Sequence, residues 1–205
     1  MKYKWLNSSN NDKLIVFFNG WGLDASVVSH LLFDDYDVVM FYDYRSLETN
    51  FMPDKDYSEI TLISWSMGVM TASLVFNKLH INADNKIAIN GTMTPINKKF
   101  GINPMIYDLT IKGFNDRTKD KFIKNMFDED IPKLQINRST EELREELIVL
   151  KDYSANPNFE YTKVLISDND KIIPTTAQCS YWGIKPNIKG GHCPFFQFKS
   201  WSELL

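Results

Sequence analysis

The stretch Glu59–Leu74, "EITLISWSMGVMTASL", decides the fold of this chain. Residues Glu59–Ser64 form an apolar run with β-branched side chains, which predicts a buried strand. A helical pattern follows at Met67–Leu79, so Ser66 stands on the turn between strand and helix. A strand that passes directly into a helix is typical of α/β architecture.

The rest of the chain repeats this alternation. Further strands are predicted at Lys13–Phe18, Tyr36–Tyr42, Lys86–Asn90 and Thr162–Ser167, with a weaker last strand at Pro186–Gly190. Further helices are predicted at Ala25–Leu32 and Pro194–Leu204. Because the strands are nearly continuous in apolar residues, we expect a mostly parallel sheet with helices on both faces.

A long segment at about 92–158 contains no good strand pattern. Helical patterns occupy Arg117–Phe127 and Glu141–Lys151, and the second follows a capping-box pair, Ser139 and Glu142. A helical insertion between two strands of a sheet predicts a small lid above the sheet. The alternative is that these helices simply pack on one face of the sheet.

Composition limits the protein class. The chain has 205 residues, 43 % apolar residues and a net charge of −3, which predicts a single packed domain, 1–205, and no nucleic-acid partner. The sequence has only two cysteines, a polar start without a signal-peptide pattern and no apolar run of membrane length. These features predict a cytoplasmic protein without a membrane partner. We find no metal-ligand spacing, P-loop or dinucleotide motif, and we expect neither a metal nor an organic cofactor.

Ser66 is a candidate nucleophile. The turn reads S-x-S-x-G, in which Ser64 and Gly68 occupy the small positions of the G-x-S-x-G nucleophile elbow. Its place at the start of a helix favours negative charge on the serine oxygen. Short serine and glycine turns are common, however, so the motif alone also fits an ordinary turn.

Acid and base candidates follow Ser66 in the order that such hydrolases use. The loop "DNDKIIP" after Thr162–Ser167 supplies a carboxylate from Asp168 or Asp170, and "KGGHCPFF" supplies His192 on a glycine-flanked loop. The other two histidines lie on or beside helical patterns. His192 could instead be a loop residue that caps the next helix, but its order after Ser66 favours catalysis.

Backbone donors for an oxyanion are predicted at two places. The N–H of Met67 directly follows the candidate nucleophile, and "FFNGWG" follows the early strand Lys13–Phe18. Gly20 and Gly22 would let that loop bend so that the N–H of Trp21 faces inward. The alternative is that this segment is only a turn.

Five motifs together resemble a known family. "FFNGWGLD", "SWSMG", "NGTMTPI", "SDNDKIIP" and "KGGHCPFF" are similar to those of the BioG-type pimeloyl-[acyl-carrier protein] methyl ester esterases, a compact branch of the α/β-hydrolases. The resemblance covers about Phe17 to Phe196. It implies an α/β-hydrolase fold and a carboxylic ester hydrolase of biotin biosynthesis, which releases methanol from pimeloyl-acyl-carrier protein methyl ester.

The resemblance also implies residue roles. The members of a Ser-His-Asp triad and the oxyanion donors map to Ser66, His192, Asp170, Trp21 and Met67. Asp170 is preferred to Asp168 because, like the family's acid, it stands four residues before Pro174. Two positions depart from the common hydrolase pattern, since Ser64 replaces a glycine and Asn19 replaces a histidine.

An acyl-carrier protein as partner would require a basic face, because carrier proteins are strongly acidic. Arg117, Lys121 and Lys124 lie at helical spacing i, i+4 and i+7, which predicts a docking face opposite the apolar side of their helix. The alternative is an ordinary solvated helix face.

Three other functions fit parts of the sequence. The first is another esterase or thioesterase with a small acyl substrate, and the second is a non-catalytic binding protein of the same fold. The third is cysteine chemistry at Cys193, which neighbouring His192 is badly placed to activate because adjacent side chains rarely point at each other.

Overall fold

The structure is a computed structural model and describes residues 1–128, 134 and 136–205. In these parts of the chain, six strands form one sheet in the order β1-β3-β2-β4-β5-β6. The strands are β1 (Lys2–Asn7), β2 (Lys13–Phe18), β3 (Tyr36–Tyr42), β4 (Glu59–Trp65), β5 (Asn85–Ile89) and β6 (Lys163–Leu165). All neighbours pair in parallel except β1, which is antiparallel to β3. The predicted mostly parallel sheet is confirmed.

Both faces of the sheet are buried. Along β2, Val16 and Phe18 pack into one apolar cluster and Ile15 and Phe17 into the other, and all four side chains are inaccessible to solvent. This double burial explains the continuous apolar sequence of β2, because alternate side chains of a strand point to opposite faces.

Five α-helices lie in the described residues: α1 (Met67–Val75), α2 (Pro104–Gly113), α3 (Asp116–Lys124), α4 (Thr140–Leu150) and α5 (Thr175–Trp182). Helix α1 packs in the first apolar cluster together with residues of α2 and α4. The second cluster is closed by short 3₁₀ turns at Ala25–Val27, Phe195–Gln197 and Trp201–Leu204. Phe195 and Trp201 each pack edge-on against Phe17, with ring centroids 5.7 and 5.2 Å away.

Two predicted helices are wrong. Ala25–Leu32 contains only the first of these 3₁₀ turns, and Pro194–Leu204 contains the other two. An extended pairing explains both results, because the Leu32 N–H donates to Lys199 O and the Trp201 N–H donates to Leu32 O. Backbone groups of Leu32, Lys199 and Trp201 that a continuous helix would use are therefore paired between the two segments.

The predicted strand Pro186–Gly190 is also wrong, apart from an isolated bridge between Ser167 and Ile188. The side chain of Asn187 explains why. Its Oδ1 accepts from the Ile166 N–H at 2.7 Å, and its Nδ2 donates to Val164 O at 2.8 Å. A side-chain amide therefore makes hydrogen bonds that a neighbouring strand would otherwise make.

The segment of about 92–158 joins β5 to β6 and carries α2, α3 and α4; its residues 129–133 and 135 lie outside the described part of the chain. Both predicted helices are present, as α3 and α4, whereas α2 is additional. The Cys193 N–H donates to Met126 O at 3.0 Å, so the segment contacts the loop that carries His192. Its function as a lid stays a prediction.

Candidate active site

Ser66 occupies a strained turn between β4 and α1. Its φ and ψ angles are 58° and −123°, and its N–H donates to Ile89 O at 3.0 Å. A positive φ is uncommon for a residue with a side chain, and such strain costs on the order of 1–3 kcal/mol. This turn has the geometry that a nucleophile elbow requires.

Gly68 permits the close approach on which the site depends. A Cβ atom at this position would lie 2.4 Å from Phe18 O and 2.8 Å from Asn19 O. Only glycine therefore lets the first turn of α1 lie directly against the end of β2. This contact places the loop that carries Trp21 beside Ser66.

Ser66, His192 and Asp170 form a continuous chain of hydrogen-bond contacts. His192 Nε2 lies 2.8 Å from Ser66 Oγ, and His192 Nδ1 lies 2.7 Å from Asp170 Oδ2. All three residues are buried. The structure thus brings together the three residues that the sequence singled out, although they lie on loops after β4, after β6 and near the end of the chain.

Several donors hold the Asp170 carboxylate in place. Oδ1 accepts from the N–H groups of Ile172 and Ile173 at 2.8 and 3.1 Å. Oδ2, which contacts His192, also accepts from Gln178 Nε2 at 2.8 Å. Both oxygens are therefore paired, and the carboxylate cannot turn away from the imidazole without losing these bonds.

Asp168 has a different environment. Its carboxylate accepts from Lys189 Nζ at 2.7 Å and from the Gly190 N–H at 3.0 Å. The hydrogen bond from Lys189 lowers the pKa of this carboxyl, and the Gly190 N–H adds to the effect. The structure therefore brings Asp170 to His192, whereas Asp168 anchors the loop ahead of the histidine.

Two residues that the sequence analysis missed hold His192 by its backbone. Its carbonyl accepts from Trp65 Nε1 at 2.8 Å and from Asn90 Nδ2 at 2.9 Å. The Asn90 side chain also makes two hydrogen bonds with Ser167. Its Nδ2 donates to Ser167 Oγ at 2.7 Å, and its Oδ1 accepts from the Ser167 N–H at 2.8 Å. Asn90 thus connects the acid loop to the base loop, and the signal for it was its place directly after a sheet strand.

The loop Asn19–Leu23 carries the predicted oxyanion donor Trp21. Asn19 shapes this loop, because its Oδ1 accepts from the Gly20 N–H and its Nδ2 donates to Leu23 O, at 2.9 and 3.0 Å. Gly22 supplies a φ of 87° at the bend. Within the described part of the chain, the N–H groups of Trp21 and Met67 have no acceptor, as an oxyanion donor requires. Their function as oxyanion donors stays a prediction.

The side chain of Trp21 ties this loop to the helical insertion. Its Nε1 donates to Leu143 O in α4 at 2.9 Å, and its ring packs edge-on against Phe114 and Phe122 at 5.1 and 4.9 Å. The insertion therefore covers the end of the sheet at which the loop of Trp21 lies.

Cys193 is buried, and burial raises the pKa of its thiol. A raised pKa disfavours the thiolate that cysteine chemistry needs. Among the described residues, no group of three or more His, Cys, Asp or Glu side chains is placed to hold a metal ion.

The predicted docking residues Arg117, Lys121 and Lys124 lie exposed on α3. In the part of the chain that the structure describes, none of the three forms an ion pair with a carboxylate. The predicted apolar side of this segment lies at residues 122–127. There, Met126 is buried and Phe122 is half-buried.

Comparison with known proteins places the chain in a family. The model of the family described as "Pimeloyl-ACP methyl esterase BioG" matches residues 1–204. The chain belongs to the BioG family. The crystal structure of BioG from Haemophilus influenzae is 29 % identical, covers 100 % of this chain and 99 % of its own, and superposes with a TM-score of 0.87.

A second BioG-like sequence is part of a longer protein. The "Malonyl-[acyl-carrier protein] O-methyltransferase" of Bacteroides fragilis (strain 638R) is 35 % identical over 176 residues, which are 82 % of this chain. This chain spans only 36 % of the length of that relative.

More distant structures share the fold of this BioG-family chain. A putative lipase from Acinetobacter baumannii superposes with a TM-score of 0.62 at 19 % identity, covering 98 % of this chain and 83 % of its own. The predicted α/β-hydrolase fold is thereby confirmed. No helix in residues 1–128 or 136–205 is long and apolar enough to cross a membrane.

Proposed function

We propose that this protein is a serine carboxylesterase that hydrolyses the methyl ester of pimeloyl-[acyl-carrier protein] in biotin biosynthesis. The observation that carries the proposal is the buried chain of contacts from Ser66 through His192 to Asp170. This arrangement can deprotonate a serine hydroxyl and hold the resulting imidazolium against a carboxylate. The family to which the chain belongs supports the choice of substrate.

Acylation begins at Ser66. Its Oγ attacks the ester carbonyl while His192 Nε2, 2.8 Å away, accepts the hydroxyl proton. Asp170 accepts a hydrogen bond from the Nδ1–H group, which orients the ring and stabilises its positive charge. The carbonyl oxygen becomes negative and is stabilised by the N–H groups of Trp21 and Met67, each worth on the order of a hundredfold to a thousandfold in rate.

The intermediate then collapses. The bond between the carbonyl carbon and the methoxy oxygen breaks, and His192 returns the proton to that oxygen, so that methanol leaves. Water attacks the acyl-Ser66 ester with His192 again as the base. This step releases the free carboxylate of pimeloyl-carrier protein and restores the serine hydroxyl.

Recognition of the carrier protein is proposed for the exposed face of α3. Arg117, Lys121 and Lys124 supply positive charge, which would attract an acidic partner to a chain of net charge −3. The insertion that carries α3 contacts Trp21 through Phe122. Docking on α3 would therefore place the arm of the carrier protein next to the oxyanion loop.

The test is hydrolysis of purified pimeloyl-carrier protein methyl ester, followed by mass spectrometry of the intact carrier protein. We expect loss of one methyl group with the thioester intact, and we expect Ser66→Ala to abolish that loss. A fluorophosphonate probe should label the wild type and fail to label Ser66→Ala. Complementation of a biotin auxotroph that lacks its pimeloyl-carrier-protein esterase tests the same activity in cells.

Other outcomes would contradict the proposal and identify an alternative. Release of free carrier protein would indicate a thioesterase, and hydrolysis of small esters alone would indicate a general esterase. In a separate assay with malonyl-carrier protein and a methyl donor, methylation would indicate the activity named for the Bacteroides fragilis relative. A protein that binds these substrates without turnover would be a binding module of the same fold.

A further inference from the structure

Helix α2 presents an apolar surface to solvent. Met105, Ile106 and Leu109 are 70 %, 54 % and 58 % exposed. The helix is anchored on its other side, where Tyr107 is buried and donates a hydrogen bond to Leu147 O at 2.9 Å. Large apolar side chains grouped on a fixed helix are typical of an interaction site. We call these three exposed residues the α2 stripe.

Positive charge borders the α2 stripe at both ends. Lys98 and Lys99 are exposed just before the helix, and Lys112 continues the line of Met105 and Leu109 at i+7 and i+3. In the described part of the chain, none of these three lysines pairs with a carboxylate.

The charge balance around the stripe is opposite to that of the whole chain. Between residues 96 and 115, the sequence has a single carboxylate, Asp108, which Lys151 neutralises at 2.6 Å. The complete chain carries a net charge of −3. The segment that carries α2 is therefore basic in an acidic protein, with Asp116 and Glu141 beside Phe114 beyond its end. A basic segment favours an acidic partner with apolar side chains at its centre.

The stripe also has a direct connection to the candidate active site. Phe114 follows the last residue of α2, and its ring packs against Trp21 with centroids 5.1 Å apart. At a rise of 1.5 Å per residue, Met105 lies about 14 Å from Phe114 along the axis of α2. A partner bound on the stripe would be close enough to deliver a substrate on a flexible arm.

We propose that the α2 stripe, with its flanking lysines, is a docking surface for the acyl-carrier protein. The proposal rests on the proposed function and adds an apolar contact that the basic face of α3 lacks. Burial of these side chains would stabilise the complex and slow dissociation, whereas the α3 cations would mainly speed association.

Two other occupants fit less well. A second copy of the chain would bring Lys98, Lys99 and Lys112 against the same lysines in a two-fold symmetric contact, which like charges disfavour. An anionic membrane would also attract these lysines, but Tyr107 fixes α2 and only three of its large apolar side chains are exposed, which limits the apolar area that could insert. Charge therefore favours an acidic partner over a second copy, and the family to which the chain belongs points to the carrier protein.

A matched pair of substitutions tests the stripe. Met105→Glu places a charge in the stripe, and Met52→Glu places the same charge on a methionine that is 67 % exposed in the segment between β3 and β4. Binding of pimeloyl-carrier protein methyl ester is measured by calorimetry in the Ser66→Ala background, so that turnover does not interfere. We expect roughly tenfold weaker binding with Met105→Glu and less than a twofold change with Met52→Glu.

A neutral variant separates apolar contact from charge. Met105→Ser combined with Leu109→Ser should also weaken binding by roughly tenfold in the Ser66→Ala background. With Ser66 intact, the same double variant should hydrolyse p-nitrophenyl acetate at a rate within twofold of wild type. Equal binding by the Met105 and Met52 variants, or no binding at all, would overturn the docking surface.

Further measurements separate this proposal from its alternatives. Dimer formation that depends on Met105 in analytical sedimentation would assign the stripe to a second copy of the chain. Binding to phosphatidylglycerol vesicles that depends on Met105 would assign the stripe to a membrane. Either result would overturn the proposed docking surface. Binding of the carrier protein that depends on Met105, without hydrolysis by the wild type, would preserve the docking surface and contradict the proposed function.

Discussion

The indole N–H of Trp21 donates a hydrogen bond to the carbonyl of Leu143 at 2.9 Å, which fastens the loop after β2 to helix α4. A second connection runs through Tyr44. Its N–H donates to Glu146 Oε1 on α4 at 2.5 Å, and its hydroxyl donates to Asn19 O at 2.6 Å. The insertion and the candidate oxyanion loop are therefore held in one position relative to each other.

This relationship predicts that Tyr44 is a positioning residue. Burial raises the pKa of Tyr44, so its hydroxyl stays neutral and can donate to Asn19 O. Tyr44→Phe should lower kcat on the order of tenfold with little change in KM, because a displaced loop would misplace the Trp21 N–H. Steady-state kinetics with a small ester measures both constants.

Tyr107→Phe is the control for Tyr44→Phe. The Tyr107 hydroxyl donates to Leu147 O at 2.9 Å and does not touch the loop. Each substitution removes one hydroxyl donor and should lower the free energy of unfolding by about 1 kcal/mol. An equal loss of kcat in both variants would mean that Tyr44 has only a structural role.

The backbone conformation of Ser66 is predicted to lower the free energy of unfolding. Because its φ is 58°, Ser66→Gly should relieve strain that Ser66→Ala retains. We expect the glycine variant to be more stable than the alanine variant by about 1 kcal/mol in urea unfolding, while neither hydrolyses esters. An alanine variant at least as stable as the glycine variant would show that the turn is unstrained.

The two acidic residues on the loop after β6 should differ in their effect on turnover. Asp170→Asn removes the carboxylate that contacts His192 Nδ1 and should lower kcat by several orders of magnitude. Asp168→Asn weakens contacts with Lys189 and Gly190 and should lower kcat much less. Comparison of kcat for a small ester ranks the two variants, and the reverse ranking would remove Asp170 from the triad.

Asp43 should make stability depend on pH. Burial alone would raise its pKa, but hydrogen bonds from Arg45 and Lys2 outweigh burial and lower the pKa well below the usual range. Its charged form therefore stabilises the fold above about pH 3.9, the ordinary value for aspartate, and this stabilisation is lost as the pH falls below that value.

Asp43→Asn tests this pH dependence. The variant should lose about 3 kcal/mol of unfolding free energy at pH 7, and the difference from wild type should shrink below about pH 4. Urea unfolding between pH 2 and 7 measures it. Asp35→Asn removes an exposed contact with Lys13 at 3.5 Å and should cost less than about 1 kcal/mol throughout. A difference that stays constant with pH would exclude this role for Asp43.

The basic face of α3 should control association with the carrier protein. Reversal of Arg117, Lys121 and Lys124 to Glu should raise KM for the carrier-protein ester, with a smaller difference at high salt, because screening weakens charge attraction. Turnover of p-nitrophenyl acetate should stay nearly unchanged.

A second triple reversal controls for net charge. Lys55, Lys78 and Lys185 lie outside α3, and their reversal to Glu changes the net charge by the same amount. An equal rise in KM in both triple variants would show that only the overall charge matters and that α3 is not the docking face.

The sequence predicted the parts of the fold in which local pattern and tertiary packing agree. Strands β2 and β3 match their predicted bounds because both faces of each are buried, and continuous apolar sequence reports this directly. Strand β1 was missed because it lies at the edge, where Lys2 and Lys4 face solvent and no residue of the strand is fully buried.

The candidate site shows the same division. Ser66, Asp170 and His192 lie in recognisable loop motifs after strands, and their relative placement followed from a known order of residues. Asn90 and Gln178 were not predicted, because their functions depend on hydrogen bonds to residues 102 and 8 positions away. Such pairings are set by tertiary contacts. For Asn90 the sequence shows only a place directly after a strand, and for Gln178 it shows no local pattern.

The anchoring of the His192 backbone has a consequence for its motion. Two side chains hold its carbonyl, and the next N–H, that of Cys193, donates to Met126 O at 3.0 Å. The imidazole must therefore carry a proton from the serine to the departing oxygen by rotating about its own side-chain bonds, while the main chain stays still. Although this segment has no regular secondary structure, the amide hydrogen of Cys193 should exchange with solvent as slowly as those of the central strands.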